Sequence, residues 1–192
     1  MTKRRLFIAI NLPENVKKRL IDWRGSMSTR LRQDSGEVNW VRRGNLHITL
    51  IFIGYATDDE TYDIAKKMRV IAKKHEAFNI KLERIITGPP NKMPRMFWVE
   101  GEKNQELADL HSDLENEIQQ LSGGKYGAYR PHINLARFNY DIAKQITLSD
   151  WREDVFKAEI PVDSIQLMQS DLHRSGPEYT ILESVNLGND EL

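Results

Sequence analysis

A chain of 192 residues, 40% of them hydrophobic, is long enough for one ordinary core and has the composition of neither a disordered, a collagen-like nor a membrane protein. Lys plus Arg equals Asp plus Glu at 28 each, so no bulk positive field holds a long nucleic acid by its phosphates, and any such contact must be local. The absence of cysteine excludes disulfides, thiolate nucleophiles and Cys-based zinc or iron sites together, and fits a reducing compartment, with the cytoplasm as the expected location.

The opening MTKRRLFIAINLP has basic residues followed by an apolar stretch, as a secretory leader does. That stretch is short, runs into Asn11 and Pro13, and has no small-residue cleavage site after it, so it reads as a strand from Arg5 to Leu12. No other apolar run approaches the roughly 18 residues of a membrane span, and no membrane partner is expected. Pro13 is a good first helical residue, and Val16, Leu20, Trp23, Met27 and Leu31 then form one apolar stripe opposite a Lys/Arg-rich face. NLHITLIFIG, Asn45 to Gly54, is the next strand. A helix starting near Asp58 or Asp59 turns Ile64, Met68 and Ile71 inward. FNIKLERIITG and RMFWVEG read as two strands joined by the loop PPNKMP. From about Asn104 to Leu121, the residues Leu107, Leu110, Leu114, Ile118 and Leu121 mark a third helix, ended by the glycine-rich SGGKYG. PHINLARF is the strand after it, and the tail from Ala158 reads as two strands with a turn near Ser175, Gly176 and Pro177. The pattern predicts an α+β chain of two similar halves within one domain, residues 1–192, with no linker between them.

Two of these strands carry the chemistry. Side chains alternate along a strand, so His47 shares a face with Thr49 while Leu46, Ile48, Leu50 and Phe52 take the other. The same alternation puts His132 with Asn134 and sets Ile133 and Leu135 opposite. Each strand thus has an apolar back and a front bearing one imidazole and one neutral hydrogen-bond donor. Two such fronts facing each other suit in-line displacement at phosphorus, where one group deprotonates the attacking oxygen and another protonates the leaving one. Histidine, with an ordinary pKa of about 6.5, does either, and the residues alone do not say which ring does which. Thr49 and Asn134 are placed to donate to non-bridging phosphate oxygens. A lone histidine on a strand is usually structural; two repeated His-Ile-polar-Leu fronts are hard to explain as packing, because both need partners.

HITL and HINL resemble the paired His-x-Thr/Ser motifs of the two-histidine (2H) phosphoesterases, in particular the bacterial and archaeal RNA 2′,3′-cyclic phosphodiesterases, also called 2′-5′ RNA ligase-like or LigT-like proteins. RLFIAINLP, NLHITLIFIG, MFWVEG, RPHINLARF and SGPEYTIL follow in the order that family shows, so the resemblance spans nearly the whole chain. It implies a two-lobed fold with pseudo-two-fold symmetry, mainly antiparallel sheets flanking a central cleft and helices outside. It also implies metal-independent hydrolysis of a 2′,3′-cyclic phosphate to a 2′-phosphomonoester with no cofactor, with 2′-5′ RNA ligation as a related activity. On matching positions His47 is then the proton donor to the departing 3′ oxygen and His132 the proton acceptor that activates water. Arg137 matches an arginine near the phosphate; its odd spacing from His132 puts it on the back of a regular strand, so a bulge or strand end must redirect it. The chain departs from the pattern at Asn134, where the family has Thr or Ser. An amide still donates, but its carbonyl repels an anion if turned inward.

The partner implied is RNA with a 2′,3′-cyclic phosphate end, or a small cyclic nucleotide, bound by a monomer. A non-catalytic RNA-end-binding module is the alternative. A zinc hydrolase using His47 and His132 lacks a third ligand at recognisable spacing. His111 falls on the Leu107/Leu110/Leu114 stripe as a structural residue, His75 ends a helix, and His173 lies in a polar loop. Arg42 and Arg43 are candidates for phosphates beyond the cyclic end, and Phe7, Trp40 and Trp98 for base stacking, with solvation and core packing as the simpler roles.

Overall fold

The computed structural model describes residues 3–31, 38–89, 93–122, 129, 131–148, 151–174 and 176–188. Strands β1 (Arg4–Asn11), β2 (Val38–Trp40), β3 (His47–Ala56), β4 (Phe78–Gly88), β5 (Met96–Gly101), β6 (His132–Phe138), β7 (Glu153–Val162), β8 (Ser164–His173) and β9 (Gly176–Asn186) are interspersed with helices α1 (Glu14–Arg30), α2 (Asp58–Ala72), α3 (Gln105–Ser122) and α4 (Tyr140–Leu148). The α+β class is as expected, but the strands make one continuous nine-stranded sheet, ordered β7-β4-β5-β6-β3-β1-β8-β9 with β2 added to β6. Every pairing is antiparallel.

The sheet reads outward in two matching directions from its middle. β3 meets β6 at Ile48 and Ile133, each the residue after a motif histidine. Beyond that pair β2 takes over the edge of β6, pairing Val38, Asn39 and Trp40 with Phe138, Arg137 and Ala136. β3 and β6 therefore diverge, which opens a cleft on one face. The other face is the main core, in which Ile48, Leu50, Ile133 and Leu135 pack with Val16 and Leu20 of α1 and with Leu107, Leu110, Leu114 and Ile118 of α3. On the cleft face a small separate cluster of Phe7, Ala9 and Met168 packs against Tyr179.

Local signals explain the helix starts. Thr57 and Glu60 form a reciprocal capping box at α2, and the Asn104 side chain accepts from the Leu107 N–H at 2.7 Å to start α3. α1 reaches across the midline: Trp23 packs edge-on to Phe97 of β5, and its Nε1–H donates to Asp154 of β7 at 2.8 Å.

Three elements differ from the sequence reading. α4 is nine residues long, too short for a periodic pattern; the Asn139 side chain caps it through the Ile142 N–H, and Ile142, Ala143 and Ile146 fill its buried side. β2 has three residues and exists because β6 has a free edge there. The tail holds three strands, not two. β7 and β8 are separated by Asp163 alone, yet β7 pairs with β4 and β8 with β1, in opposite halves of the sheet. A one-residue break without glycine at that point gives no turn signal to read. The loop residues 90–92 and 123–127 and the turn residue Ser175 lie outside the described residues.

Candidate active site

The two motif strands share one irregularity. From His47 and from His132 the burial runs half-buried, buried, half-buried, buried, buried, exposed, buried, position for position. In β3 the register with β1 goes from Thr49 opposite Ala9 to Ile51 opposite Ile8, leaving Leu50 as an extra residue. In β6 the register with β5 goes from Asn134 opposite Trp98 to Ala136 opposite Phe97, leaving Leu135 extra. Each extra residue is a β-bulge that reverses the alternation beyond it. The consequence in β6 is that Arg137 turns to the cleft. In β3 it is Phe52, which strict alternation sends to the back; Phe52 instead lines the cleft with the Arg5 guanidinium 4.5 Å above its ring. Both bulge side chains stay in the core, and the Leu135 carbonyl is satisfied by the Val41 N–H at 2.9 Å.

His47 is held on three sides. Its Nδ1 bonds the Asn45 carbonyl at 2.7 Å, which requires Nδ1 to carry the proton and leaves Nε2 as the atom for exchange. Nε2 lies 3.0 Å from the Thr49 hydroxyl. Phe7 lies against the ring at a centroid distance of 5.0 Å and Tyr179 edge-on at 5.4 Å. Burial pushes the His47 pKa below its ordinary value. The Asn45 carbonyl opposes this shift, and the positive charges of His132 and Lys17 add to it. Burial raises the pKa of the Tyr179 phenol, so it faces the imidazole as a neutral group.

His132 is half-buried beneath the Trp98 indole, with ring centroids 4.3 Å apart. Opposite it on β5 stands Glu100, a buried carboxylate that accepts from Arg84 Nε at 2.8 Å. Asn134 follows on the same face. Its Oδ1 is buried without a hydrogen-bond partner, so the carbonyl is turned into the wall and the NH₂ is the end left toward the cleft.

His47, Thr49, His132, Asn134 and Arg137 thus line one open cleft of about 860 Å³. Arg5, Arg24, Arg42 and Arg174 join them, and among the described residues no Asp or Glu does. The cleft is positive although the formal charge of the whole chain is zero. Arg42 lines it as expected, whereas Arg43 is turned to Glu14 at 2.7 Å. Trp40 lines the cleft with Arg24 over its ring at 5.5 Å. Phe7 and Trp98 are packed into its wall. His173, expected in a loop, ends β8 and also lines the cleft. His111 is buried and stacked on Tyr129 at 3.8 Å, whose hydroxyl donates to the Thr49 carbonyl at 3.2 Å; it therefore supports the motif strand from behind. His75 sits beyond the end of α2 and pairs with Asp113 at 3.0 Å. Among the described residues no group of three His, Cys, Asp or Glu side chains is placed to hold a metal ion.

The sequence reading did not single out Arg5, Arg24, Arg174, Tyr179 or Glu100. Tyr179 lay within a stretch already compared with the family, but the arginines come from α1, β1 and the β8–β9 connection and share no spacing.

A model of the 2′-5′ RNA ligase superfamily matches residues 13–174. The chain belongs to this superfamily. It is 28% identical over 182 residues to the RNA 2′,3′-cyclic phosphodiesterase of Methanocaldococcus jannaschii, covering 93% of this chain and 98% of that protein. The protein of the same name from Aquifex aeolicus is 30% identical over 156 residues, covering 78% of this chain and 81% of the other. Among solved structures, TT0787 of Thermus thermophilus superposes with a TM-score of 0.79 at 25% identity, covering 97% of this chain and 100% of that one. E. coli LigT complexed with 3′-AMP superposes with a TM-score of 0.75 at 22% identity, over 98% and 100%, and shares the fold. No helix among the described residues is long and apolar enough to cross a membrane.

Proposed function

We propose that the chain is a metal-independent phosphodiesterase that hydrolyses 2′,3′-cyclic phosphate ends of RNA to 2′-phosphomonoesters. The observation that carries this reading is the pair of motif fronts: two imidazoles, each followed by a hydrogen-bonding side chain, on antiparallel strands that meet at Ile48–Ile133 and line one cleft. The relatives named RNA 2′,3′-cyclic phosphodiesterase, aligned over most of the chain, support it.

His132 takes a proton from water as its oxygen bonds to phosphorus. The P–O3′ bond breaks, and His47 delivers the Nε2 proton to the 3′ oxygen, leaving the phosphate on the 2′ oxygen. Thr49, the Asn134 NH₂ and Arg137 donate to the non-bridging oxygens as charge builds there. His47 has a depressed pKa, but a bound phosphodiester places a negative charge beside the ring and draws the proton back onto Nε2. The same depressed pKa makes the protonated ring a readier donor. A 5′-hydroxyl in place of water gives a 2′-5′ link by the same two proton transfers. RNA is favoured over a lone nucleotide because Arg5, Arg24, Arg42 and Arg174 extend the positive lining beyond the motif residues.

The test is incubation of RNA bearing a 2′,3′-cyclic phosphate with the protein in EDTA, followed by identification of the hydroxyl that retains the phosphate. A 2′-phosphate product supports the proposal. A 3′-phosphate product refutes the assigned leaving group. Tight binding without turnover would make the chain an RNA-end-binding module, and activity lost in chelator would make it a metal enzyme.

A further inference from the structure

Two buried polar side-chain atoms that lack a hydrogen-bond partner, the Trp98 Nε1–H and the Asn134 Oδ1, belong to residues directly opposite each other in the β5–β6 ladder. Side chains of such a pair stand on the same face with Cβ atoms about 4.5–5.5 Å apart, within easy reach of an indole. One is a donor without an acceptor and the other an acceptor without a donor. Both are sealed from water, so neither solvent nor a substrate in the cleft satisfies them, and an unmet polar group in such a place is strongly disfavoured.

We propose that the Trp98 indole donates to the Asn134 carbonyl, and that this bond fixes which end of the amide faces the substrate. The inference rests on the reading of the site given above. The terminal torsion of asparagine is soft, so a modest rotation of the amide closes the pair. The indole itself is not free to move. It lies flat against Gly88, where an added Cβ would come within 2.5 Å of a ring carbon, and the His132 ring packs against it with centroids 4.3 Å apart. A rigid donor thus holds a two-ended side chain. The hydroxyl of a Thr or Ser needs no such device, because one oxygen serves as donor in any orientation. An amide does need it, since a half-turn would point its carbonyl at the phosphate. Trp98 is accordingly a positioning residue, acting on the reaction through Asn134.

Trp98→Phe keeps a ring against His132 and Gly88 and removes the N–H. Loss of a neutral hydrogen bond corresponds to about a two- to twelvefold effect, and that fall in kcat/KM for a 2′,3′-cyclic phosphate is expected in the parent. In an Asn134→Thr background, which has no carbonyl to hold, Trp98→Phe should leave kcat/KM unchanged, and the coupling in this cycle isolates the bond from any shared packing effect. An equal fold loss in both backgrounds overturns the proposal. A second readout needs no activity. The Trp98 indole N–H proton resonance should move upfield and exchange faster with solvent when Asn134 is replaced by leucine, which offers no acceptor. An unmoved resonance overturns the proposal even if Trp98→Phe fails to fold. A parent that does not turn over cyclic phosphate sinks the proposed function, while the resonance still decides this pairing.

Discussion

Replacing His47 with alanine separates its chemical role from its structural one. The ring contributes a hydrogen bond to the Asn45 carbonyl at 2.7 Å and two aromatic contacts, to Phe7 and Tyr179. At about 0.5–1.5 kcal/mol for the hydrogen bond and a similar figure for each ring contact, their loss costs roughly 1.5–4.5 kcal/mol. The removed burial penalty on the imidazole works in the opposite direction, so a net loss near 2 kcal/mol is expected, or a Tm lower by about 4–8 °C for a chain of this size. That is well inside the stability of an ordinary domain, and the variant should remain folded. The chemical loss is larger. A positioned general acid contributes about 10²- to 10⁴-fold, equivalent to about 2.7–5.4 kcal/mol of barrier. The assay is single-turnover hydrolysis of a 2′,3′-cyclic phosphate at a temperature where circular dichroism shows the variant folded. His132→Ala should show a comparable fall, and the double variant should lie close to the slower single one, because the two rings act in one step. Turnover of folded His47→Ala within a few-fold of the parent would refute the reasoning, whatever the change in Tm.

Asn134→Thr should preserve or raise turnover, whereas Asn134→Asp, which brings a negative charge and no donor, should lower it at least about a hundredfold in the same assay. Stability should depend on pH through His47 and His111, whose pKa values burial lowers. The unfolded chain takes up these protons below about pH 6.5 and the folded chain only at lower pH, so Tm should rise with pH up to about 6.5 and level off above it. His111→Gln should remove part of that slope, as followed by thermal melts from acid to neutral pH. The positive cleft should be visible in salt: Arg24→Gln with Arg174→Gln should weaken RNA binding, flatten its dependence on salt and leave hydrolysis of a mononucleoside cyclic phosphate nearly unchanged.

The sequence by itself determined what depends on one strand or helix at a time. His47 with Thr49 and His132 with Asn134 share a face because side chains alternate over three residues in any strand, and the stripes of α1, α2 and α3 follow from the helical period. The resemblance to a known superfamily likewise lies in short segments kept in order. The tertiary structure decided whatever belongs to a relation between elements. Phe52 and Arg137 face the cleft because Leu50 and Leu135 are extra residues relative to β1 and β5, and a bulge is a mismatch between two strands that neither carries alone. The parting of β7 from β8 at Asp163 likewise reflects which free edge each strand found, β4 for one and β1 for the other. The arginines of the cleft gather from distant segments of a chain with balanced charge, and only the folded arrangement brings their like charges to one place. The wall behind Asn134 is of the same kind: a tryptophan and an asparagine, commonplace apart, become a donor and an acceptor once the ladder sets them opposite each other.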